Sequence, residues 1–67
     1  MLTDRQIQML TQKGFVSLFW QDYVKKLKDN PTITHEQVYE LLEVEYQKGT
    51  GQRRYANFKS FRRRRDE

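Results

Sequence analysis

The chain contains no cysteine, one proline, one histidine and three glycines. Without thiols there is no disulfide, no thiolate zinc site and no cysteine nucleophile. His35 has no second histidine and no cysteine at ligand spacing, which argues against a metal centre. Gly14, Gly49 and Gly51 lack phosphate-loop spacing, and Thr50 lacks the Gly-Lys pair that would precede it in one. No apolar run approaches the ~20 residues of a membrane span. The start, MLTDRQIQML, is polar and periodic rather than charged and then apolar. His35 and Glu36 are neighbours whose side chains would point about 100° apart on a helix, and no nucleophile accompanies them. The sequence therefore predicts no catalysis, no cofactor, no small-molecule substrate and no membrane contact. A soluble protein of the cytoplasm is the expectation, and the remaining function class is binding.

Sixty-seven residues make one domain at most, and so short a chain buries a limited core. The net charge is +4, but its distribution is more informative. Residues 1–48 carry six basic and seven acidic side chains, net −1; residues 49–67 carry seven basic and two acidic, net +5. All the excess positive charge lies at the C-terminal end. Such asymmetry points to a polyanion or to an acidic protein surface.

The periodicity predicts an all-α domain, a bundle of three to four short helices at about 4–12, 15–29, 35–48 and 57–65. Thr3 with Gln6 is a capping box, and Ile7 and Leu10 share a face. Gly14 is expected to break the chain between the first two helices. An alternative is one kinked helix over 4–28, because Leu18 is in phase with Ile7 and Leu10 and off the main stripe. Phe15, Val16, Phe19, Trp20, Tyr23, Val24 and Leu27 form that stripe. Pro31 stops the second helix at Asn30. Thr34 with Gln37 is a second capping box; Val38, Tyr39, Leu41, Leu42 and Tyr46 form the apolar side of its helix, and Glu40, Glu43 and Glu45 line the remainder. Gly49 is expected to end it, with GTGQ as a connector. Trp20 is expected in the core; the other readings are a base-stacking platform or an aromatic patch left open to a partner.

The last stretch, RRYANFKSFRRRRDE, sets three aromatics among its cations. Disordered basic tails normally lack aromatics, having no core to join. Asn57 is an N-cap candidate, Phe58 and Phe61 are one turn apart, and Tyr55 is placed to pack back as a staple. An ordered helix is therefore expected through about Arg63, with the last residues frayed. With Phe58 and Phe61 inward, Arg62 and Arg65 flank the core, their stems along apolar surface. Lys59, Ser60, Arg63 and Arg64 point outward, and Arg53 and Arg54 join them from the connector.

This patch, Arg53, Arg54, Lys59, Ser60, Arg63 and Arg64, is the candidate binding site. Its composition suits phosphate neutralisation and base-edge contacts in a major groove, so nucleic acid, first of all DNA, is the expected partner. The helices at 35–48 and 57–65 resemble a helix-turn-helix pair only loosely, since residues 49–56 exceed its usual turn. A protein partner or self-association, joining the Arg patch to another copy's Glu-rich helix, is the competing expectation, and arginine and aromatics are both enriched at interface hot spots.

The run Arg54-Tyr55-Ala56-Asn57-Phe58-Lys59-Ser60-Phe61-Arg62 resembles the ending, aromatic-x-x-aromatic-x-Ser-Phe-Arg, of short and mostly uncharacterised proteins of bacteriophages and mobile elements. Phe19-Trp20 and Tyr39 with Tyr46 fit the same layout. The resemblance implies a small helical viral protein, located in a host cytoplasm or a virion, and carries no activity with it.

Overall fold

Four side chains open four helices in the computed structural model, which describes residues 1–66. Thr3 caps α1 (Asp4–Gln8), Thr11 caps α2 (Gln12–Asp29), Thr34 caps α3 (His35–Thr50) and Asn57 caps α4 (Phe58–Arg65). Each accepts the backbone N–H three residues on, from Gln6, Gly14, Gln37 and Ser60 in turn. That satisfies one of the donors every helix start leaves open. Both expected capping boxes close, since Gln6 and Gln37 reach back to the N–H of Thr3 and Thr34 at 2.8 and 2.9 Å. There is no strand among the described residues, and the chain is a small all-α bundle. Glu67, at the end expected to fray, lies outside the described residues.

Two glycines act differently from the expectation. Gly14 does not break the chain; it lies in the first turn of α2, and the break falls earlier, at Thr11. A Cβ on Gly14 would lie 2.0 Å from the Gln8 carbonyl oxygen, so glycine is required because α1 ends directly against it. Gly49 does not end α3. The helix continues to Thr50 and stops at Gly51, which is left-handed at φ 78°, the conformation glycine adopts without penalty. Gly49 instead leaves room for the N-terminal segment: a Cβ there would come within 2.6 Å of Gln6 and 2.7 Å of Leu2. Into that space the Gln6 amide inserts, donating to the Glu45 carbonyl of α3 at 2.8 Å. Arg5 fastens the same corner, bridging Asp22 of α2 at 2.7 Å and Glu45 of α3 at 2.9 Å.

The core comprises Met9, Phe15, Leu18, Phe19, Val38, Tyr39, Leu42 and Phe61. Several positions differ from the helical-stripe reading. Met9 is buried, whereas Ile7 and Leu10 are exposed; α1 is only five residues long, too short for a stripe to develop. Leu18, expected off the stripe, is buried. Trp20 and Val24, expected on it, are exposed, as are Leu41 and Val44 on α3. The apolar arcs of α2 and α3 are wider than α1 and α4 can cover.

α4 is folded into this core. Phe61 is fully buried and its ring meets those of Phe15 (5.5 Å), Phe19 (4.9 Å) and Tyr39 (4.8 Å, stacked). Tyr55 packs on Phe15 and Phe61 at 5.4 and 5.6 Å, as the staple reading expects. Phe58 is half-buried against Tyr39. Truncating Phe61 empties the meeting point of three elements. Phe61→Ala should lower the unfolding free energy by about 3–5 kcal/mol, measured by urea titration of the circular-dichroism signal. Phe58→Ala, at a half-buried site, should cost less; equal losses would contradict this packing.

Candidate nucleic-acid interface

α4 is placed by a buried carboxylate. Glu43, expected on the polar side of α3, is 1% exposed. It lies one turn after Tyr39 and faces the connector. Its oxygens accept the backbone N–H groups of Arg54 (2.8 Å) and Tyr55 (2.9 Å), and the Tyr39 hydroxyl donates to it as well. A chain crossing over a helix needs acceptors for its own N–H groups, and burial without them is costly. Glu43 supplies both at once. Tyr55 is thereby directed onto Phe15, and α4 begins three residues later.

Arg53 is held by the same network. Its guanidinium donates to Glu40 at 3.3 and 3.4 Å, to the Tyr39 hydroxyl at 3.3 Å and to the Tyr55 carbonyl at 3.3 Å. Glu40 first, and then the Tyr39 hydroxyl, raise its pKa above the ordinary arginine range. Arg53 is thus exposed but paired with Glu40 within the fold. Arg54 lies against the Tyr55 ring, 5.3 Å from its centroid, and is half-buried. The same geometry disposes of the three glutamates that would repel a polyanion. Glu43 is enclosed, Glu40 is paired with Arg53, and Glu45 is paired with Arg5.

Along α4 the side chains separate by direction. Arg65 turns inward: its side chain is 10% exposed and lies over Phe19 and Trp20, 5.9 and 5.6 Å from the ring centroids. It contacts His35 Nδ1 at 2.9 Å through Nη1 and Asp66 at 3.0 Å through Nε. Ser60 is half-buried. Arg64 stands beside the first turns of α2, where Gln12 donates to its carbonyl at 3.3 Å and a cleft of about 350 Å³ opens between Lys13, Val16 and the two arginines Arg64 and Arg65. Lys59, Arg62 and Arg63 are exposed, and none of the three makes an ion pair among the described residues. Arg62 was expected to flank the core; it faces solvent because the wall beside α4, the start of α2, rises on the Arg64 and Arg65 side.

Of the six residues the sequence nominates, Lys59 and Arg63 therefore stand together on the open face with Arg64 at its edge. Ser60 and Arg54 are half-covered, and Arg53 is tied back. Arg62 is the residue the sequence reading misses. Among the described residues, no three His, Asp or Glu side chains gather as a metal site, and no helix is long and apolar enough to cross a membrane. No protein-family model, curated protein or solved structure matches the chain.

Two outcomes test the Glu43 network. Glu43→Ala leaves the N–H groups of Arg54 and Tyr55 and the Tyr39 hydroxyl buried without their acceptor, and should cost about 3–5 kcal/mol in denaturant unfolding. The second is a pH dependence. Burial, and then the Glu43 hydrogen bond, raise the Tyr39 phenol pKa well above its ordinary value. The fold thus favours the neutral phenol. That stability is complete below the unfolded tyrosine pKa of about 10 and is lost as pH rises beyond it. The melting temperature should fall above about pH 10, and Tyr39→Phe should flatten that fall relative to the parent.

Proposed function

We propose that the protein is a small DNA-binding module that works without catalysis, through the outward face of α4. The single observation behind this reading is the set Lys59, Arg62 and Arg63: exposed, free of ion pairs among the described residues, and carried on a helix fixed from behind by Phe61. Cations that stabilise the fold are normally paired, as Arg5 and Arg53 are here. Unpaired cations on a rigid helix repel one another and contribute little to folding, whereas a row of phosphates would neutralise them and release counterions. Arg54, Ser60 and Arg64 border this face and would assist.

Protein binding is the second reading, and a different surface favours it. Leu41 and Val44 are exposed on α3, where with Ile33, Glu36 and Glu40 they line a depression of about 620 Å³. A partner there would cover an apolar strip edged by carboxylates. Such a strip suits a protein partner rather than a polyanion.

The two readings separate in a salt series. If Lys59, Arg62 and Arg63 each neutralise one phosphate, log K for a short DNA should fall against log salt with a slope of about −2 to −3, from −0.7 per phosphate on single strands and −0.9 on duplex. Charge reversal at Arg62 and Arg63 should flatten the slope with no change in melting temperature. Absence of binding at low salt would remove this reading and leave the α3 surface as the functional one.

A further inference from the structure

We infer that the DNA is single-stranded and that Trp20 is the platform on which a base stacks; the inference rests on the α4 reading above. Trp20 is the only tryptophan of the chain and is 42% exposed, although Phe15, Phe19, Tyr39 and Phe61 are fully buried. Burying a large aromatic is one of the strongest stabilising contributions open to a small domain, so leaving this one outside is a loss to the fold.

The indole is also held in a fixed orientation. It stands nearly perpendicular to Phe19 (4.9 Å, 73°), Tyr23 (6.2 Å, 77°) and His35 (5.6 Å, 85°). A ring braced by three neighbours loses little freedom when a ligand stacks on it. Arg65 then joins the ring to the cationic helix. Its guanidinium is 5.6 Å from the indole centroid, and Arg62 lies one turn back on the same helix. A strand whose phosphates follow Arg62 and Arg63 is led toward the ring by Arg65, whose guanidinium lies beside the indole and also pairs with Asp66. A basic track beside a rigid aromatic is the pattern by which proteins hold single strands.

Duplex DNA would not use this pattern. Its bases present their edges and keep their π-faces covered. α4 has eight residues, about 12 Å at 1.5 Å per residue, and the seven residues 51–57 between α3 and α4 exceed the turn of a helix-turn-helix.

Because there is one tryptophan, its fluorescence reports the site directly. The full chain is titrated at low salt with a 12-nucleotide oligo-dT and, separately, with a 12-base-pair duplex, and binding is followed in parallel by anisotropy of labelled DNA. The inference expects tighter binding of the single strand, with quenching of the tryptophan emission that saturates along the anisotropy curve. Trp20→Ala should weaken single-strand binding by roughly five- to a hundred-fold, the loss of one stacked base. It should leave duplex binding unchanged, and Trp20→Phe should restore part of the loss. Circular dichroism of both variants establishes that they are folded. Single-strand binding with unaltered emission and an unaffected Trp20→Ala variant overturns the inference while the α4 reading stands, and so does a preference for duplex. A concentration-dependent change of emission without DNA, unaffected by oligonucleotide, overturns it in favour of a protein contact at the ring. Failure to bind either DNA removes the α4 reading itself, and this inference with it.

Discussion

The placement of α4 depends on the carboxylate of Glu43. It is the acceptor for two consecutive backbone N–H groups of the connector and for the Tyr39 hydroxyl, in a part of the molecule with almost no access to water. A buried carboxylate is expensive in free energy unless its lone pairs are filled, and here the connector itself fills them. The direction of the chain at residues 54 and 55 is therefore fixed by hydrogen bonds rather than by apolar contact alone. Tyr55, Phe58 and Phe61 follow in the register that this crossing imposes, and the cations between them take the directions that remain.

Seven basic side chains in the last stretch look equivalent in the sequence, and the fold gives them different duties. Arg53 completes the polar network around Tyr39 and Glu40. Arg65 sets its guanidinium near the rings of Phe19 and Trp20 and pairs with Asp66. The cations without an ion-pair partner among the described residues, Lys59, Arg62 and Arg63, form a smaller set on one side of one helix. The candidate interface is thus defined by subtraction, and net charge alone overstates it.

Much of the helical layout was legible. The capping boxes at Thr3 and Thr34, the stop at Pro31 and the Asn57 cap are local signals whose physics needs no tertiary partner. The folded tail followed from the spacing of Phe58 and Phe61. The misreadings share a cause, which is dependence on a second element. Thr11 caps α2 over a glycine instead of a glutamine, so it lacks the reciprocal signature, and Gly14 and Gly49 read as breaks because what crowds them, the Gln8 carbonyl at the end of α1 and the side chains of Gln6 and Leu2, belongs to other segments. Glu43 read as surface because its two backbone donors come from the connector. Trp20 read as core because a helical wheel shows an arc without showing how much of it a neighbour covers. The exposure of Arg62 and the pairing of Arg53 with Glu40 are of the same kind.

The corner at Gln6 also bears on the order of events in folding. Five residues do not hold a helix by themselves, and the side chain that closes the Thr3 capping box is the one that docks on Glu45, nearly forty positions along the chain. Arg5 likewise needs Asp22 and Glu45 already in place. α1 is therefore among the last helices to form. It acts as a latch, and its closing depends on α2 and α3 having already met.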